Sequence, residues 1–183
     1  MSTPAAAARP AKTGDIRAEF STKFPEFGYS YQESADGIPT VWVQAGRLKD
    51  VLRWLKNEAP KPYRMLYDLT AIDERLRVNR QGQPEADFTV VYHLLSFERN
   101  SDFRVKVALK GEHPSLPSVI DVFVNANWYE REVWDLYGVS FSGHPDLARI
   151  MLPDDWQGHP LRRDEPTLVE PVDFTATREI YGT

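Results

Sequence analysis

Five prolines, at 145, 153, 160, 166 and 171, punctuate the C-terminal stretch that begins at Val139. Proline fixes φ and has no N–H to donate, so neither a long helix nor a central strand survives that spacing. The same stretch carries Gly-His-Pro twice, at 143–145 and 158–160, each followed within a few residues by arginine. The chain therefore divides into a flexible N-terminal tail at 1–14, a body at 15–138 and an extended arm at 139–183. An arm with little helix or sheet of its own needs side-chain pins, and bidentate guanidinium–carboxylate pairs are suited to that task.

The body reads as helices mixed with strands. Ile16, Phe20 and Phe24 recur at helical spacing after a candidate cap, Asp15, which predicts a short helix from Asp15 to about Phe24. "YSYQESADGIPTVWVQ" gives two strand-like runs around an Asp36-Gly37 turn. "RLKDVLRWLKNEA" places Leu48, Val51, Leu52 and Leu55 on one helical stripe, closed by Pro60. "RMLYDLTAID" (64–73) and "DFTVVYHLLSFE" (87–98) are strand-like and joined through "RQGQPE". The second is apolar on both faces and predicts a central strand. A turn at Asn100-Ser101-Asp102 leads into "FRVKVALK", where Val105, Val107 and Leu109 alternate with charge, predicting a strand with one wet face. "GEHPSLPS" reads as a loop, and Asn127–Tyr137 as a second strong helix. The expected class is α+β, a mostly antiparallel sheet packed with helices and followed by the Pro-rich arm.

Composition narrows the function. Hydrophobic residues make up 42%, with five Trp, eight Tyr and nine Phe, which marks a folded chain. A net charge of −5 gives no electrostatic reason to expect nucleic acid. There is no cysteine, which excludes disulfides, thiolate metal sites, cysteine-ligated iron–sulfur clusters and a cysteine nucleophile. No apolar run approaches the roughly 18 residues of a membrane span; Val119–Val124 is short and broken by Asp121. "MSTPAAAARPAKTG" lacks a basic region followed by an apolar stretch, so it is not read as a secretory signal. The expectation is a soluble cytoplasmic protein, or one attached to a membrane through partners.

The densest chemistry lies in "NWYEREVWDLYGVSFSGHP" (127–145). Asn127 is a candidate cap with Glu130 three residues on, a variant of the capping box. Gly138 stands where a left-handed C-cap is wanted. Tyr129, Val133, Trp134 and Tyr137 form an apolar stripe, and Glu130, Arg131, Glu132 and Asp135 take the remaining positions. Those charges suit a solvated face. Equally, Arg149, Arg162 and Arg163 of the arm are placed to fold back onto the acids.

His144 and His159 raise a metal reading. Neither sits in a His-Glu-x-x-His helix, and Asp146, Asp154 and Asp155 show no coordinating period. In a Gly-His-Pro turn, hydrogen bonds from both ring nitrogens to backbone or carboxylate are the plainer use. An acid–base pair of Glu130 or Asp135 with His144 would need a pocket that perturbs them. The chain has no dinucleotide fingerprint and no G-K-[ST] phosphate loop, and His93 and His113 read as packed or exposed residues.

Residues 127–166, "NWYEREVWDLYGVSFSGHPDLARIMLPDDWQGHPLRRDEP", resemble the C-type subunit of respiratory NADH:quinone oxidoreductase, complex I. That family's pattern is E-R-E-x-x-D-x-x-G-x-x-F-x-G-H-P, then G-H-P-L-R-[KR]-D. Glu130, Arg131, Glu132, Asp135, Gly138, Phe141, Gly143, His144 and Pro145 match the first block, and Arg149, Gly158, His159, Pro160, Leu161, Arg162, Arg163 and Asp164 the rest. Glu165 departs from it, standing where an aromatic residue often precedes the proline. The resemblance implies a peripheral-arm subunit of a proton-pumping complex that scaffolds the quinone-site subunits. It implies no catalytic residue, cofactor or metal in this chain, with NADH, FMN, iron–sulfur clusters and quinone bound by partner subunits. The signature residues become a partner interface, chiefly for the D-type subunit, with indirect membrane contact on the cytoplasmic side of the inner membrane. A related module of membrane-bound hydrogenases and a free-standing metal-dependent hydrolase are the alternatives.

Overall fold

The computed structural model describes residues 16–80 and 82–164. The expected tail, the Asp15 cap and the arm beyond Asp164 lie outside the described residues. Helix α1 (Ile16–Lys23) buries Ile16 and Phe20, and Phe24 just past its end joins them in the core. Strands β1 (Ser30–Gln32) and β2 (Thr40–Trp42) pair antiparallel across the Asp36-Gly37 turn, where Gly37 takes φ +70°.

The next helical stretch is not uniform. A 3-10 turn (Ala45–Arg47) leads into α2 (Leu48–Arg53), and the last turn widens to a π-helix (Trp54–Glu58). The Ala59 N–H accordingly reaches back to the Trp54 carbonyl at 2.9 Å. Trp54 and Leu55 are both buried in this turn, and Pro60 prevents further helix.

Three nine-residue strands make up most of the main sheet: β3 (Met65–Asp73), β4 (Phe88–Ser96) and β5 (Ser101–Leu109). The main sheet has the order β1-β2-β5-β4-β3, antiparallel except for the β2–β5 pair. β4 is indeed central. Its inward row, Phe88, Val90, Tyr92 and Leu94, faces Leu109, Val107, Val105 and Phe103 of β5. Phe20, Val51, Leu52, Trp54 and Val133 pack into the same cluster from the helices.

The outer row of β5 is drier than its alternation predicts. Lys106 is buried, with its ammonium 5.3 Å from the Trp42 ring centre. It donates to Gln32 Oε1, which also accepts the Trp42 Nε1–H. Burial pushes the Lys106 pKa down, with Arg104 acting in the same direction.

Helix α3 (Ala126–Tyr137) lies against β3. A register irregularity between Leu66 and Asp68 leaves carbonyls that α3 satisfies. Asn125 Nδ2 donates to Leu66 O at 2.6 Å and Tyr129 Oη to Tyr67 O at 2.8 Å. "GEHPSLPS" is more than a loop, because β6 (Ser115–Pro117) pairs in parallel with β7 (Ser140–Ser142). Val139 and Phe141 enter the core and Leu147 packs against it half-buried, so packing carries the chain past residue 138. Among the described residues no helix is long and apolar enough to cross a membrane.

Candidate functional site

Helix α3 places two carboxylates where no solvated charge could sit. Glu130 and Asp135 are both 0% exposed, so the solvated-face expectation fails for them. Glu130 does not close a capping box, and Asn127 does not cap the helix; Asn125 occupies that position without a side-chain cap bond. Glu130 instead points inward, accepting Ser118 Oγ–H at 2.6 Å and the Val119 N–H at 2.7 Å. Burial pushes its pKa up, opposed by those two donors. It thereby ties the segment after β6 to α3.

Asp135 gathers the arm. Its Oδ2 accepts three consecutive backbone N–H groups, from Ile150 (3.0 Å), Met151 (2.9 Å) and Leu152 (3.1 Å). Its Oδ1 takes the Arg149 guanidinium at 2.5 Å. Burial works to raise this carboxyl, but the three N–H groups and Arg149 outweigh it and hold the pKa below its ordinary value. The other end of the Arg149 fork donates to the carbonyls of Trp156 (2.8 Å) and Gly158 (3.2 Å). One ion pair therefore closes the whole 149–158 loop onto the helix.

Arg131 serves the same loop through carbonyls, not carboxylates. It donates to Ala148 O at 3.0 Å and Arg149 O at 2.9 Å, and its guanidinium lies 5.3 Å from the Trp128 ring centre. Glu132 sits half-buried on the helix.

The two histidines do separate structural work. His144 accepts the Asp146 N–H at Nδ1, which leaves Nε2 as the donor to Asn127 O at 3.3 Å. His159 Nδ1 donates to Asp135 O at 2.9 Å. Its ring lies on Gly138, where an added Cβ would come within 2.6 Å of His159 Cδ2. Gly138 thus has two reasons to be glycine: φ of +73° and the close approach of the imidazole. Gly143 and Gly158 also have positive φ, setting the turns ahead of Pro145 and Pro160. Among the described residues no group of three His, Asp or Glu is arranged to hold a metal ion.

Arg162 and Arg163 do not reach the helix acids. They belong to a second latch at the end of β3. Asp73, a buried carboxylate, accepts the Arg163 N–H at 2.8 Å and pairs with Arg75, whose Nε lies 3.0 Å from Oδ1. Arg75 also grips Asp164 with both terminal nitrogens, at 2.5 and 2.7 Å. The Arg75 and Arg162 guanidinium carbons lie 4.9 and 5.1 Å from the Phe88 ring centre. Arg162 donates to Glu112 O at 2.7 Å. Burial works to raise the Asp73 carboxyl, and the Arg75 and Arg163 donors overcome it, bringing the pKa down to about 2. A backbone bond from Leu161 N to Leu136 O (3.0 Å) runs between the two latches.

Residues 41–170 match the family described as respiratory-chain NADH dehydrogenase, 30 Kd subunit. The chain belongs to that family. It is 51% identical over 168 residues to the C/D subunit of NADH-quinone oxidoreductase from Ectopseudomonas mendocina and 49% identical to that from Azotobacter vinelandii. In both cases 90% of this chain is covered but only 28% of the relative's length. Among solved structures, a trypsin-resistant fragment (1-134) of Nqo5 superposes with a TM-score of 0.62 at 30% identity, covering 72% of this chain and 98% of that one. The archaeal membrane-bound sulfane sulfur reductase contains a polypeptide with a TM-score of 0.64 at 23% identity, covering 91% and 92%. At that identity the likeness speaks for the fold alone.

Within the signature of this 30 Kd subunit, Arg149 converges on Asp135 together with the N–H groups of Ile150, Met151 and Leu152. Glu130 turns instead to Ser118, and Arg163 and Asp164 go to Asp73 and Arg75, which with Ser118 and Phe88 lie outside the signature. Asp73-Glu74-Arg75 offered a faint signal, an acid–acid–base run ending a strand. Nothing in its spacing pointed to an arm residue almost ninety positions away.

Proposed function

We propose that this chain is a cofactor-free peripheral-arm subunit of a proton-pumping NADH:quinone oxidoreductase, scaffolding the subunits that frame the quinone site. The D-type subunit is the chief partner, and other peripheral-arm subunits complete the surroundings. NADH, FMN, iron–sulfur clusters and quinone then reside on those partners, and the subunit reaches the cytoplasmic side of the inner membrane through the complex. Family membership supports this reading, and so do relatives whose name joins C with D on one polypeptide. The absence of cysteine fits a subunit that holds no cluster through thiolates.

The observation that carries the proposal is the Asp135 latch. It holds an irregular segment in one shape while Met151, Trp156 and Leu161 stay turned toward water. Such an arm, from Gly143 onward, gains little for the fold it leaves and presents a preorganised surface to a neighbour. The signature residues Glu130, Arg131, Glu132, Asp135, Gly138, Gly143, His144, Pro145, Arg149, Gly158, His159, Pro160, Arg162, Arg163 and Asp164 shape that surface, most of them by positioning backbone.

The test is purification of the tagged chain from solubilised membranes, with its companions identified and NADH:quinone reductase activity assayed. Recovery of the D-type and other peripheral-arm subunits with that activity is expected. Recovery of the chain alone, hydrolytically active with a stoichiometric metal, would overturn the proposal.

A further inference from the structure

The connection between β3 and β4, residues 74–87, is far longer than the two to five residues a hairpin needs. It is braced from within. Arg80 donates to the carbonyls of Glu74 (3.3 Å) and Pro84 (3.1 Å), and Arg77 pairs at 3.0 Å with Glu74. Glu74 is buried and accepts Thr89 Oγ1–H at 3.2 Å. Yet this loop leaves Leu76 65% and Val78 99% exposed. Single exposed aliphatics are ordinary. Two on a loop whose backbone is already braced are different, because little ordering entropy remains to be lost when they are covered.

The loop is also joined to the arm. Arg75 at its root holds Asp164, and Leu161 in the same turn of the arm is 49% exposed. The family match runs on to residue 170, just beyond Asp164. In relatives whose name joins C and D on one polypeptide, the chain runs on past the position of Asp164, the residue that Arg75 holds. A D-type neighbour carried on that polypeptide is tethered downstream of the turn that Arg75 fixes.

The geometry points to residues 74–80 of this loop as a second docking element for the D-type subunit, joined to the 161–164 turn, with Arg75 as the positioning residue that sets one against the other. This inference rests on the reading of the chain as a partner of that subunit. Leu76, Val78 and Leu161 are the exposed aliphatic side chains that the two elements offer it, on either side of the Arg75–Asp164 pair.

Full-length tagged chain, co-expressed with the rest of the complex, tests it through the amount of D-type subunit retained after solubilisation. Leu76→Asp combined with Val78→Asp is expected to lower retention on the order of tenfold, the scale of losing interfacial apolar anchors. Val78→Asp alone should act in the same direction with an unchanged melt, since its side chain is outside the packing. Arg75→Lys should reduce retention less and make it salt-sensitive, because an ammonium cannot bridge Asp73 and Asp164 as a planar fork does. Phe97→Asp, 73% exposed in the β4–β5 turn at the opposite end of the sheet, should leave retention unchanged. Wild-type retention by both loop variants, or an equal loss from Phe97→Asp, overturns the inference. A wild-type chain that retains no D-type subunit removes the underlying reading, a distinct result.

Discussion

In the body, Phe20, Leu52, Tyr92 and Phe103 lie wholly out of water in one cluster drawn from helices and sheet, whereas no side chain from Gly143 to Asp164 is buried. The first region is stabilised by apolar area, at about 25 cal/mol per Å² removed from water. The second follows a path dictated by donors converging on two body carboxylates, Asp135 and Asp73. A core loses stability through cavities; a pinned arm loses its path when one acceptor disappears. That difference suits a domain that must keep its own fold while presenting a fixed but thin strip of chain to others.

The comparison is most severely tested at Asp135. Asp135→Ala strands Arg149 and three N–H groups, and is expected to cost ~3–5 kcal/mol of arm attachment. Limited trypsin digestion should then cut first at Arg149, before Arg162 and Arg163, which the Asp73–Arg75 latch still holds, while the circular dichroism of the sheet persists; simultaneous loss of the sheet signal would break the distinction. Leu52→Ala should cost ~2–4 kcal/mol by leaving a cavity. Its denaturation midpoint should fall, with the folded fraction as resistant to trypsin in the arm as the wild type.

Acid should separate the regions further. The Asp73 pKa is about 2 in the fold against an ordinary 3.8, so its contribution is complete above pH 3.8 and lost as pH falls toward 2. That contribution amounts to ~2 kcal/mol, and the depressed Asp135 acts with the same sign. Glu130 in the body has the opposite sign: its pKa is raised above 4.5, so it opposes folding as pH rises through that range. Amide protection at Arg163 should fall as pH drops from 3.8 to about 2, protection at Ile150–Leu152 should fall only below the ordinary aspartate range, and Glu130→Gln should flatten the body's pH dependence without altering the arm's. Arg131→Ala is the mildest change, at about 1–2 kcal/mol, because the carbonyls of Ala148 and Arg149 can turn to water. A loss as large as that of Asp135→Ala in denaturant melts would show the arm depends on more than its carboxylates.

The elements with strong periodicity were legible before the structure. The α1 stripe, the central β4 and the Gly138 cap all appear as local pattern, because burial on one face imposes spacing on the chain. Glu130 was misread for the same reason. Its position three residues after an asparagine mimics a cap, while its actual partners, Ser118 and Val119, come from the segment before the helix. The β6–β7 pair escaped because three-residue strands carry too little alternation to register. Arg162 and Arg163 were correctly seen as arm arginines but assigned to the nearer acids; the Phe88 face and Asp73 became their partners only through the sheet.

The sequence by itself determined that this chain has an α+β body, a proline-broken arm and a family signature spanning both. Those follow from short-range facts: side-chain period, missing N–H groups, and residue identities at fixed offsets. Tertiary structure alone decided which carboxylate takes which donor, that Asp135 and Asp73 share the arm between them, and that Arg75 joins a hairpin loop to Asp164. Pairing across such separations depends on where the sheet puts its strand ends, and no local spacing encodes that position.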